Sequence, residues 1–192
     1  MSFSTDLAKP GAPLGVAPFA HPLDEFYAQA GRPIPHIARL EGDEVPEPYK
    51  QLLVHRRDMT PTLKAYYKDA IEIEVLRRDQ RGDFYFREVL LVLRGSRQVV
   101  EFGAIKINLA ILAPSARREI LEEHTPLGDI LEKNQIEHSS RPKAFLKLKS
   151  DDFIGAVFKL AEPQLLYGRR NTLSDSSDRS IAEIVEILPP AL

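Results

Sequence analysis

From about Pro48 onward, apolar and polar positions fall into short regular runs, whereas the chain before it shows no such order. PYKQLLVH predicts a short apolar helix. RRDMTPTLKAYYKDA predicts a second one, with Thr60 as N-cap and Pro61 at the first helical position. Three stretches with a period of two follow: IEIEVLRR from Ile71, FYFREVLLVLR from Phe84 and RQVVEFGAIKIN from Arg97. The links DQRGD and Gly95-Ser96 are short enough to make these an antiparallel meander. Helical spacing returns from Pro114 through ARREILEEH, breaks at Thr125-Pro126 and resumes in LGDILEKN. FLKLK predicts a short strand, Asp151 caps a helix over DDFIGAVFKL, and QLLYGRRNTL and RSIAEIVEIL predict two further strands around the turn SDSSD. Strands at both ends of a helical middle predict an α+β fold, an antiparallel sheet with helices packed on it.

Eight of the fifteen prolines fall in the first 48 residues. Residues 1–47 therefore read as a proline-rich N-terminal arm, extended or partly disordered, and residues 48–192 as the domain. At 192 residues the chain is long enough to enclose a site within one core.

The strand period exposes charges that do not belong. In FYFREVLLVL the row Tyr85, Arg87, Val89, Leu91, Leu93 is apolar except for Arg87, and the opposite row carries Glu88. A buried guanidinium without a partner costs several kcal/mol, so Arg87 should meet an anion. The bland alternative is a pair of structural charges near a strand end. The last strand repeats the pattern, with Glu186 in one row and Glu183 in the other. A solvated face or an ion pair to an arginine would explain them as well as a cavity would. An apolar pocket holding one arginine and one glutamate suits a small ligand with a carboxylate at one end and a hydroxyl at the other.

Composition narrows the chemistry. No cysteine is present, which excludes disulfides, thiolate metal sites and cysteine nucleophiles. The five histidines, at 21, 36, 55, 124 and 138, form no close ligand pair such as HxxxH, so no metal is expected. There is no GxSxG elbow for a serine hydrolase. A formal net charge of −2 argues against nucleic acid as a partner. No run approaches the roughly 18 apolar residues of a membrane span, and prolines interrupt the N-terminus where a signal peptide would need an apolar core, so a cytoplasmic protein is expected.

Five blocks carry a resemblance: RDMTPTL (57–63), YFREVLLVL (85–93), TPLGDIL (125–131), YGRRNTL (167–173) and VEILPP (185–190). Together, in this order, they resemble the chorismate lyase-like family over residues 48 to 192. The resemblance implies helical flaps covering an internal ligand site. It implies that Arg87 binds the ring carboxylate, that Glu186 faces the hydroxyl of the product, and that both are catalytic. It places Met59 and Leu127, with the adjoining Thr60 and Gly128, among the substrate-binding residues at helix starts, where free backbone N–H groups are available to an anion. Arg169 of the shared GRR block reaches either the ligand or an acidic neighbour.

The reaction so implied is a cofactor-free elimination of pyruvate from chorismate, or from a related enolpyruvyl carboxylate, giving 4-hydroxybenzoate. The sequence departs from the lyases after the second hairpin, where VVEFGAIKINLAIL stands in place of an AGR-type segment and introduces Glu101. The alternative is a non-catalytic protein that binds or senses a small aromatic carboxylate. A closed internal site of this kind is expected in a monomer.

Overall fold

The computed structural model describes residues 20–191. Seven antiparallel strands form one sheet: β1 (Ile37–Leu40), β2 (Ile71–Arg81), β3 (Phe84–Leu93), β4 (Val99–Asn108), β5 (Ser139–Lys149), β6 (Leu165–Ser174) and β7 (Ser180–Leu188), in the order β1-β5-β6-β7-β4-β3-β2. The meander β2–β3–β4 and the meander β5–β6–β7 are zipped together by the β4–β7 ladder. Gly82, at φ +57, turns the two-residue link between β2 and β3, a conformation a side chain would strain. This is the α+β arrangement that the alternating runs predict.

Alternation gives the sheet two apolar faces, and helices cover both. One face, with Phe86, Leu90, Phe102, Ala104, Val185 and Ile187, is packed by α1 (Leu23–Gln29) and α6 (Asp152–Phe158). The Asp151 side chain caps α6 by accepting from the Ile154 N–H at 2.8 Å. The opposite face lies under α2 (Tyr49–Leu53), α3 (Met59–Tyr67), α4 (Pro114–Glu122) and α5 (Leu127–Lys133).

Three features differ from the sequence-based expectations. The stretch read as an arm contributes α1 and β1, and Leu23, Phe26 and Tyr27 of α1 are almost fully buried. These elements are seven and four residues long and bordered by prolines, too short for a period to stand out. The part of the arm before Ala20 lies outside the described residues. Helix α3 begins two residues early: its N-cap is Asp58, and Thr60 and Pro61 sit within the first turn, where a missing N–H costs no intrahelical bond. Strand β5 is longer than FLKLK because it runs through Pro142. The ladder to β6 shifts register there, in the half of β5 that β1 does not cover.

Candidate functional site

The face under α3 and α5 contains a cavity of about 60 Å³. Its floor is the sheet. Cross-strand pairing lines up Val89, Gly103 and Glu186 in one row and Arg87, Ile105 and Ile184 in the next. The missing side chain of Gly103 makes room in the floor: a Cβ there would lie 3.3 Å from Glu101 Oε1 and 3.5 Å from Val89 Cγ2. The roof is formed by the first residues of two helices, Met59 and Thr60 of α3 and Leu127 and Gly128 of α5, all four lining the cavity.

Arg87 stands at one end. It is 1% exposed, and its Nε and Nη1 have no hydrogen-bond partner among the described residues. Burial pushes the guanidinium down to about 10, an effect that Tyr85 and Glu123 oppose. At neutral pH it remains a cation. Its neighbour Glu88 is equally buried but faces the other side of the sheet. There Arg77 donates from Nε at 2.7 Å and from Nη2 at 3.0 Å to the Glu88 carboxylate. Of the two charges the strand period singles out on β3, one is thus satisfied by a cross-strand partner and the other is left facing the cavity.

The other end carries two acids. Glu186 lines the cavity and is ion-paired with Arg169 Nε. Arg169 does not line the cavity; it lies behind Glu186. Its Nη1 donates to the carbonyls of Leu53 and His55, each at 3.3 Å, and its Nη2 to that of Arg57 at 3.1 Å. Of the two partners the sequence left open for Arg169, the acidic neighbour is the one it meets, and the arginine ties the α2–α3 segment to the sheet. Burial and the adjacent Glu186 push the Glu101 carboxyl well above the ordinary carboxylate range, against the pull of Arg169. Glu101 Oε2 has no partner among the described residues.

Two further lining residues escape the strand-period test for misplaced charges. Asn171 on β6 is fully buried; its Nδ2 donates to Ser140 Oγ at 2.9 Å and its Oδ1 is unpartnered among the described residues. In YGRRNTL, Asn171 shares a strand row with Arg169 and Leu173, and in a row already mixed in polarity it does not stand out. Asp58, the α3 N-cap, also lines the cavity and is bonded to His138 Nε2 at 2.7 Å. That bond holds the start of α3 against the start of β5. Across the roof, Lys64 Nζ reaches Asp129 Oδ1 at 2.6 Å, and a Cβ on Gly128 would lie 3.4 Å from Thr60 Cβ. The two covers therefore touch each other directly. Among the described residues no three histidine, aspartate or glutamate side chains converge as a metal site requires, and no helix is long and apolar enough to cross a membrane.

No protein-family model and no curated protein matches this chain. Solved structures do resemble it. PhnF from Mycobacterium smegmatis superposes with a TM-score of 0.52 at 13% identity, over 86% of this chain and 92% of that one. The effector domain of PhnF gives the same TM-score and identity over 68% of this chain and 87% of that one. A gene product of Staphylococcus aureus gives a TM-score of 0.50 at 9% identity, over 62% and 82% of the two chains. At these identities the likeness is one of fold. None of the three is described as a lyase.

Proposed function

We propose that this chain binds a small aromatic carboxylate in the cavity under α3 and α5 and acts as an effector-binding or sensing protein. The observation that carries the reading is Arg87, a fully buried cation whose Nε and Nη1 have no partner among the described residues, at the end of a cavity otherwise lined largely by apolar side chains. A carboxylate would accept from the guanidinium and cancel the buried charge. The effector domain of PhnF shares the fold, which supports a ligand-holding role on this sheet. The direct test is calorimetric titration of the protein with 4-hydroxybenzoate. Saturable binding is expected, weakened about 100-fold in Arg87→Met through loss of the charge-assisted bonds. Equal binding by the variant would remove the carboxylate role from Arg87.

A second reading, elimination of pyruvate from chorismate, draws on one observation: Arg87 and Glu186, which the resemblance assigns to the two ends of the aromatic product, line the same cavity. In that reading Arg87 orients the ring carboxylate and the covers exclude water, while aromatisation drives the step without a cofactor. Incubation with chorismate separates the two. Equal amounts of pyruvate and 4-hydroxybenzoate, lost in Arg87→Met, favour the lyase; binding without consumption favours the sensor.

A further inference from the structure

Glu101 sits where two strands bring a second carboxyl group beside Glu186. On β4 it lies opposite Leu91, and two residues further on Gly103 lies opposite Glu186 of β7. Because Gly103 has no side chain, Glu101 Oε1 reaches to 3.3 Å from where its Cβ would be, over the backbone that faces Glu186. Glu186 is engaged with Arg169, whereas Glu101 Oε2 has no partner among the described residues. An unsatisfied polar atom in a buried wall costs free energy. A ligand that supplied the missing partner would recover it.

The charges lining and backing the cavity indicate which partner fits. Asp58 is set against His138 and Glu186 against Arg169, so among the described residues Arg87 is the cation lining the cavity that is left for the ligand. A monoanion neutralises it when Glu101 is uncharged, the form favoured by burial and by the neighbouring Glu186. An uncharged carboxyl group is at once a donor and an acceptor, and so is a hydroxyl. An ionised Glu101 would instead require a cationic group on the ligand, making the ligand a zwitterion. Asn171, with its free Oδ1, adds an acceptor to the same cavity.

We infer that Glu101 is the specificity-determining residue of this cavity and selects carboxylates that carry a hydroxyl at the end remote from Arg87. The inference rests on the carboxylate-binding reading above. It assigns discrimination to a residue that the resemblance leaves without a role.

The experiment compares benzoate, 3-hydroxybenzoate, 4-hydroxybenzoate and 4-(aminomethyl)benzoate by calorimetry on the full chain and on Glu101→Leu and Glu101→Gln. The wild type is expected to bind at least one hydroxybenzoate about 10- to 100-fold more tightly than benzoate. In Glu101→Leu that preference, read as the ratio of hydroxybenzoate to benzoate affinity within the variant, collapses to about threefold or less. Glu101→Gln, still donor and acceptor at the same volume, keeps part of the preference. A hydroxyl preference that survives intact in Glu101→Leu overturns the inference, as does tighter binding of 4-(aminomethyl)benzoate than of either hydroxybenzoate. If none of the four binds the wild type, the carboxylate reading fails and takes the inference with it. Binding of all four with equal affinity sinks the inference alone.

Discussion

Arg87 and Glu88 are neighbours on β3, and the pleat sends them to opposite faces of the sheet. Glu88 has a bidentate cross-strand partner in Arg77; Arg87 has none among the described residues. The two substitutions Arg87→Met and Glu88→Gln should therefore act in opposite directions. Replacing an uncompensated buried charge by an apolar side chain of similar length raises stability by about 1–3 kcal/mol, at the cost of anion binding. Neutralising Glu88 lowers stability by about 1–3 kcal/mol, moderated because the Arg77 side chain is 30% exposed and water can replace its lost partner, and leaves ligand binding intact. Urea denaturation of the two variants measures both effects, and a loss of stability in Arg87→Met would recast that residue as structural. The strand period marked both charges as odd and could not tell them apart, because the distinction lies in the β2 register, where a bulge between Val75 and Arg77 brings Arg77 opposite Glu88. Glu101 was readable by the same test, as a charge in the row with Gly103 and Ile105. Asn171 was not, because a strand row of mixed polar residues carries no contrast.

Helix α3 roofs the cavity, and its first turn is fixed by the bond from Asp58 to His138 instead of by a side-chain cap. That hydrogen bond raises His138 above its ordinary value of 6.5, although burial opposes it. A histidine held higher in the folded than in the unfolded state contributes its full stabilisation below 6.5 and loses it as pH climbs through the raised value. His55, beside Arg169, shows the reverse: burial first, and then the guanidinium, lower it to about 4. Between 6.5 and about 4 the unfolded chain takes up a proton that folded His55 refuses, so its contribution falls as pH falls through that window. The melting-temperature gap between wild type and His138→Gln should accordingly be widest below 6.5 and narrow as pH climbs through the raised value. A gap independent of pH would show that Asp58 and His138 are not coupled. Elements of this kind were legible where they are long: β2, β3, β4, β6 and β7 follow from alternation, and α4 from Pro114 and its apolar spacing. The short α1 and β1 were not, since their stability comes from burial of Leu23, Phe26 and Tyr27 and from pairing with β5, which are tertiary facts. The strand order was not legible either, because the β4–β7 ladder joins segments separated by three α-helices and two strands.

The cavity is smaller than the ligand proposed for it. About 60 Å³ accommodates a few waters, whereas an apolar cavity that binds benzene measures roughly 150 Å³, so an aromatic acid enters only when the roof lifts. The parts of the roof are held with unequal strength. The α2–α3 segment is anchored to the sheet by three carbonyl contacts to the fully buried Arg169. The link between the covers, Lys64 to Asp129, is partly exposed, with side chains 36% and 25% accessible. Pairs of that kind contribute about 0.2–1 kcal/mol. The weak latch lies between α3 and α5, and opening there exposes the Arg87 end and the acidic end together. If the covers are closed both with and without ligand, weakening the latch destabilises both closed states equally. Lys64→Ala should then raise association and dissociation rates in parallel, about two- to fivefold each, with little change in affinity. Stopped-flow measurement with 4-hydroxybenzoate distinguishes the alternatives. A rise in dissociation alone means that the covers close only over bound ligand, and unchanged rates mean that entry proceeds by a route that leaves Lys64 and Asp129 in contact.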